Sequence, residues 1–444
     1  MRPRFPATIP VLLLLTALAG TSSASARDDV TQIAAKQDFT RITKAGAWSF
    51  FGDPRAVKVN GKYFLGWTTM GGKVRVGEFD PATGKTTAKT LGPLMERGDD
   101  HENPSLLVKS DGRIMAFYSP HSGRLSPRKR KSQLYYRTTL RPADITAWTP
   151  YRTIPTNTFD GHLGYTYPNP VPLSGDRIFL TWRGGDWLPA VATWGGRRWS
   201  RARGMIFSPH PRRPYVKTAQ GNGGSVLIAY NQDNPRQTRT NTYFARYVPG
   251  MGYFKANGQK IGSAGRRFAS QKGDVVAWSG KVGRNWVMDV AEDKDNSPVV
   301  LYAAGDRFKE MRFFIARYQA GSWTRQEIVG SGYDGRSKIP PRYRYYPNAG
   351  ASLDHNDPNV VYVSRAVGRN LRMRVESWSL KSPANLASGW NVKRNSPRNM
   401  DCFRPVGIRY GQTGDVAMLC GTYFSWLNFP TGIYLARQHA PAAP

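Results

Sequence analysis

The residues best suited to chemistry in this chain gather between Asp99 and Arg183. They fall in four runs: Asp99-Asp100-His101-Glu102-Asn103-Pro104-Ser105, Phe117-Tyr118-Ser119-Pro120-His121, Gly164-Tyr165-Thr166-Tyr167-Pro168-Asn169, and Leu180-Thr181-Trp182-Arg183-Gly184. The chain has 6 histidines, and two of them, His101 and His121, end strand-like segments here. Tyr167 and Arg183 take the same kind of position on the next strand pair. Two imidazoles, a phenol and a guanidinium can hold a carboxylate and move a proton beside it. That chemistry suits an enzyme acting on an acidic sugar.

β-Elimination at a uronic acid removes the C5 proton and expels the sugar oxygen on C4. The proton becomes acidic only when the neighbouring carboxylate is offset, so a cationic clamp comes first. Arg183 fits, because guanidinium binds carboxylate bidentately and stays charged. His121 can donate a further hydrogen bond, and a cation there stabilises enolate-like charge as it develops. For the base, Tyr167 stands amid positive charge that favours its anion. His101 is the rival, since an unperturbed imidazole titrates near neutrality. Asn103, His162, Tyr165, Arg213, Tyr215, Lys217 and Arg236 are assigned to the sugar-binding surroundings. His210, His355 and His439 are left as structural or exposed, and Trp182, Trp187 and Trp194 as packing.

These residues need a scaffold that brings distant segments together. The chain shows short runs rich in Val, Ile, Tyr, Phe and Trp, separated by Gly, Pro, Asn and Asp turns, with 45 glycines and 12% aromatic residues. That is the signature of strands and turns. A polar or Pro-containing lead, a strand, a tight turn and a second strand recur, with leads near 53, 103, 169, 213, 275, 348 and 404. The spacing predicts an all-β fold, a β-propeller of seven four-stranded blades over residues 27–444. The fifth repeat is the loosest, running from Val275 through Val287 to Tyr302. Leads of adjacent blades then face one pocket.

Arg2 and Arg4, the apolar run Val11–Leu18 and Ala24-Ser25-Ala26 read as a cleaved signal peptide over residues 1–26. No later stretch approaches the roughly 18 apolar residues of a membrane helix. A secreted chain without membrane insertion is expected. Cys402 and Cys420, the 2 cysteines, flank a strand–turn–strand segment and are expected to form a disulfide. The formal net charge of +34 favours a polyanionic partner. For an exported protein that partner is an acidic polysaccharide rather than nucleic acid. No cofactor is required for the chemistry. A structural metal ion stays open, with the acidic turn Asp354-His355-Asn356-Asp357 as a place for it. A monomer is expected.

Taken in order, Asp100-His101-Glu102-Asn103-Pro104, Tyr118-Ser119-Pro120-His121, Tyr165-Thr166-Tyr167-Pro168-Asn169, Trp182-Arg183-Gly184 and Arg213-Pro214-Tyr215-Val216-Lys217 resemble the BNR-like propeller polysaccharide lyases. These are the ulvan lyase type and its relatives that cleave rhamnose–glucuronate linkages. The likeness continues through Asn234-Pro235-Arg236, Tyr253 to Gly258, Gly350 to His355 and Arg404 to Arg409. It implies a Tyr and a His as proton-transfer groups, with an Arg and a second His on the uronate carboxylate. Those roles fall on Tyr167, His101, Arg183 and His121. Two positions depart: Asn234 stands where a His precedes Pro-Arg, and Asn257 where an Asp usually precedes Gly. A hydrolase of the same propeller type using His, and a non-catalytic lectin-like binder of acidic glycans, are the alternatives.

Overall fold

Seven antiparallel sheets, set as blades around a common axis, account for the strand-and-turn pattern in this computed structural model. It describes residues 38–93, 95, 98–121, 134–154, 165–209, 213–280, 283–306, 310–332, 350–368 and 371–438, within one compact unit, Gln32–Pro444. The expected signal segment, the basic insert 127–131, His162, His210 and His439 lie outside the described residues.

Blade 1 comprises Ala56–Val59, Lys62–Thr68, Val74–Asp80 and Lys85–Thr90. Blade 2 is built on Ser105–Val108, Ile114–Tyr118 and Tyr135–Arg141, with Asp144–Trp148 and Arg152–Thr153 both paired to the third strand. Blade 3 comprises Thr166–Pro172, Ile178–Arg183, Pro189–Trp194 and Arg203–Gly204. Blade 4 begins at Tyr215–Gln220 and Val226–Asn231, blade 5 at Arg284–Glu292, and blade 6 at Ala351–Leu353. Blade 7 joins Cys402–Gly407, Val416–Gly421 and Thr431–Arg437 to the chain's first described strand, Asp38–Thr43. That last pairing closes the ring by building one blade from both ends of the described chain.

Consecutive residues of the middle strands face different neighbours, because side chains alternate across a sheet. Phe64 packs into the cluster shared with blade 2, whereas Leu65 packs into the one shared with blade 7. Leu227 and Ile228 divide in the same way between blades 5 and 3. Both faces are buried, so these strands read as unbroken apolar runs, while the outer strand Lys85–Thr90 is largely exposed. Backbones approach closely between blades. A Cβ on Gly66 would sit 2.6 Å from the Pro104 carbonyl oxygen, so only glycine fits there.

The fifth repeat falls elsewhere than expected. Asp274–Ala277 pairs with Thr242–Val248 as an added strand of blade 4, and blade 5 starts at Arg284. A short apolar run fits either place, and its pairing partner decides.

First strands line the axis, where Lys217 of blade 4 reaches Asp53 before blade 1 at 2.5 Å. Cys402 and Cys420 are paired across blade 7 and joined by a disulfide. Among the described residues no helix is long and apolar enough to cross a membrane. Replacing both cysteines with serine should lower the melting temperature without changing strand content. The loss should be about 2–4 kcal/mol, and an unaltered calorimetric melting curve would contradict it.

Candidate active site

One cleft, of about 230 Å³, opens where blades 2, 3 and 4 meet the loop of blade 7. Its lining includes His101, His121, Tyr167, Arg183, Trp187, Arg213, Tyr215, Asn234, Arg236, Trp286 and Trp426. The four residues expected to do chemistry are therefore neighbours.

His101 sits in a single 3-10 turn, Asp100–Glu102, just ahead of blade 2. Asp99 caps that turn, its carboxylate accepting the His101 backbone N–H at 3.0 Å. The same oxygen lies 2.6 Å from His101 Nδ1, with Asp100 Oδ1 2.7 Å away. The other Asp99 oxygen lies 2.7 Å from Nδ1 of His121, which follows the second strand of blade 2. The two rings stack at 3.9 Å, and the edge of Trp426 meets both.

A carboxylate can only accept, so each Nδ1 carries a proton. Arg183 Nη2 stands 3.1 Å from His121 Nε2, and guanidinium can only donate. His121 is thus neutral, its Nε2 lone pair directed at Arg183. Burial lowers its pKa to about 4, helped by the charge of His101 and only partly opposed by Asp99. Burial also lowers His101, but Asp99 and Asp100 overcome it and raise the pKa to about 9. One imidazole is cationic and its stacked partner neutral at neutral pH. Burial would raise the Asp99 carboxyl, yet the two imidazoles hold it well below the usual carboxylate range.

Tyr167 and Arg183 come from the first two strands of blade 3. The pairing shifts register between Thr166 and Asn169, and Tyr167 takes a φ of 59°. Such a bulge re-aims a side chain, and Asn169 Nδ2 steadies it by donating to the Tyr167 carbonyl at 2.8 Å. The Arg183 guanidinium lies 4.4 Å from the Tyr167 ring and 4.4 Å from the Trp187 ring. It also reaches the Tyr215 hydroxyl at 3.4 Å. Arg183 Nε has no hydrogen-bond partner among the described residues.

Of the expected sugar-binding residues, Arg213, Tyr215 and Arg236 line the cleft. Three others do not. Asn103 is spent on Ser49 N–H and the Gly52 carbonyl, tying the lead of blade 2 to that of blade 1. Tyr165 is buried among the blade 2–3 residues. Lys217 is buried on the axis against Asp53, because an ammonium removed from water needs a carboxylate. Asn234 lines the cleft at the position where the resemblance calls for His.

Trp187, expected to be packing, instead stacks on Arg183, and Trp426 and Trp286 also line the cleft. The Gly-Gly before Asp186-Trp187 was the available signal for Trp187, since Trp187 closes a tight turn with φ 64°. Trp426 arrives from blade 7 and had none. Nothing local to Asp99 in the sequence marks it as the bridge between the two imidazoles.

Asp99, His101 and His121 are also the described residues able to hold a metal, their ligand atoms lying within 4.8 Å of one another. Short N–H to carboxylate contacts already occupy those atoms. In the acidic turn, Asp354 accepts from Asn356 N–H, the Tyr362 hydroxyl and Gly414 N–H. His355 is buried against Asp289 at 3.1 Å.

The chain belongs to the BNR repeat-containing family, whose profile matches residues 62–330. No curated protein matches it. Among solved structures, an ulvan lyase of polysaccharide lyase family PL25 is similar over 90% of this chain and 95% of its own, with TM-score 0.64 and 13% identity. The PL25 ulvan lyase bound to -[GlcA(1-4)Rha3S]- is similar over 90% and 95%, at TM-score 0.63 and 14% identity. The polysaccharide lyase Uly1 follows over 90% and 98%, at TM-score 0.60 and 12% identity. At such identities the likeness establishes the propeller fold.

His101, with a raised pKa, adds stability that is full below pH 6.5 and is lost as the pH rises through about 9. His121, with a lowered pKa, adds stability present above pH 6.5 and lost as the pH falls through about 4. Histidine NMR should show the two titrations far apart, and Asp99→Asn should move the upper one down. Two imidazoles titrating together near their ordinary value would refute the assignment.

Proposed function

We propose that the protein is a secreted polysaccharide lyase that cleaves a uronic-acid-containing polymer by β-elimination. The observation that carries this reading is the pairing of two cations, Arg183 and the His101 imidazolium, against the ring of Tyr167. The ring centroids of His101 and Tyr167 are 5.3 Å apart, and the guanidinium lies 4.4 Å from the Tyr167 ring.

Arg183 and His101 offset the uronate carboxylate, which makes the C5 proton acidic. Tyr167, entering as its phenolate, takes that proton, and the electron pair forms the C4–C5 double bond as the C4–oxygen bond breaks. Tyr167 then returns the proton to the leaving oxygen. Two cations beside the ring stabilise negative charge on the phenol oxygen while its proton is away. The high pKa of His101 makes it a poor base at neutral pH, so its role is that of a charged donor. His121 accepts from Arg183 through Nε2 and orients the guanidinium. Glucuronate or iduronate, with rhamnose as a neighbouring sugar, is the proposed substrate class.

Hydrolysis by the usual route needs two opposed carboxylates. Among the described residues lining the cleft there is none. Asp99 and Asp100 are buried behind the histidines, spent on His101, His121 and Arg404.

The test incubates the protein with ulvan, glucuronan, gum arabic and glycosaminoglycans while following the ultraviolet absorbance of the new double bond. A rise on a uronate polymer is expected; reducing ends without it would mean hydrolysis, and binding alone a lectin. Tyr167→Phe should lower turnover about 10²–10⁴-fold with the substrate still bound. Full activity in Tyr167→Phe together with loss in His121→Gln would transfer the base to His121 Nε2. Arg183→Lys should raise KM and lower kcat, since ammonium cannot reproduce the bidentate grip.

A further inference from the structure

The strands that carry the cleft have a second end. Tyr215–Gln220 runs from Tyr215 in the cleft to Gln220 in a separate groove, and Ile178–Arg183 runs from that groove to Arg183. At about 3.3 Å per residue the two sites are roughly 17 Å apart along these strands, on opposite ends of the propeller.

We propose that this groove is a second, non-catalytic binding site for an acidic saccharide chain. Its volume is about 430 Å³, and Lys58, Lys109, Arg177 and Tyr410 line it. Asp176 is the carboxylate in its lining, and Lys109 occupies it at 3.2 Å. Among the described residues neither Lys58 nor Arg177 has a carboxylate within ion-pair reach. Lys58 rests over the Tyr63 ring, and Arg177 donates to the Ser174 carbonyl and hydroxyl.

Tyr410 supplies the sugar-facing surface. It is 51% exposed and takes a φ of 59° in the turn closed by Gly411 N–H on the Ile408 carbonyl. A bulky side chain in the left-handed region is strained where glycine would not be. Among the described residues three aromatics bear such a φ: Tyr167 and Trp187, both in the cleft, and Tyr410. A tyrosine kept strained and exposed among unpaired cations fits a ring face for a sugar, with Lys58 and Arg177 for its acid groups.

The choice of polymer rests on the uronate reading of the cleft; the groove itself does not. Two full-length variants test it, Tyr410→Gly and the double substitution Lys58→Gln with Arg177→Gln. Ulvan is the probe, read by retardation in a polymer-containing gel against a neutral glucan. Both variants should bind ulvan about tenfold more weakly while cleaving a short uronate oligosaccharide at the wild-type rate. Tyr410→Gly should melt at or above the wild-type temperature, since it relieves the turn. Unchanged ulvan retardation in both variants, or equal retardation of the wild type by the neutral glucan, would overturn the proposal. Weakened binding in a chain that cleaves no uronate polymer would keep the groove and sink the lyase reading.

Discussion

Two adjacent buried carboxylates, Asp99 and Asp100, set the constraint that organises the cleft. A buried charge survives only if it is paired, and side by side the two repel each other. Asp99 is answered by two imidazoles at 2.6 and 2.7 Å. Asp100 is answered by Arg404 of blade 7 at 2.5 Å and by the Tyr423 hydroxyl at 2.6 Å. Arg404 in turn donates to the Trp48 carbonyl before blade 1. The acids therefore tie blades 1, 2 and 7 at one end of the axis and place both histidines in the same act. Removing Arg404 would leave Asp100 uncompensated, so the closure of the ring and the chemistry of the cleft are one electrostatic problem.

That arrangement also explains why two stacked histidines behave differently. Both donate through Nδ1 to Asp99, but His101 has Asp100 beside it as well. His121 has instead a guanidinium at its far nitrogen, which repels a second proton. Burial lowers both; the charge of His101 and then the guanidinium lower His121 further, while the two carboxylates lift His101, so the pair separates to about 9 and about 4. The cleft also holds backbone strain at Tyr167 and Trp187. It persists because inter-blade burial on both sides of every middle strand fixes the scaffold around it.

Much of this was legible in the sequence because the leads carry it. The Asn-Pro and Arg-Pro leads mark where blades begin, and a ring brings successive blade starts to one end, so His101, Tyr167 and Arg183 converge whatever their separation along the chain. The disulfide was legible as the two ends of a hairpin. What failed were inferences that need a partner from elsewhere in the ring. Lys217 looks like a cation on a lead, and only the axis reveals Asp53 opposite it. Asp274–Ala277 looks like a blade start, and only its pairing with Thr242–Val248 makes it an added strand.

The same reasoning separates what the high net charge can and cannot explain. A charge of +34 spread evenly over the surface would steer any polyanion without giving it a register. Register needs cations that are held in place and not already neutralised. In the cleft the guanidinium of Arg183 is held between Tyr167 and Trp187, with no carboxylate paired to it among the described residues. Many of the other cations are spent inside the fold, as Lys217 is on Asp53, Arg404 on Asp100 and Arg246 on Glu292. Charge number is thus a poor guide to affinity here. The positions where cations are fixed by aromatic rings, rather than by carboxylates, are those where an acidic ligand can compete.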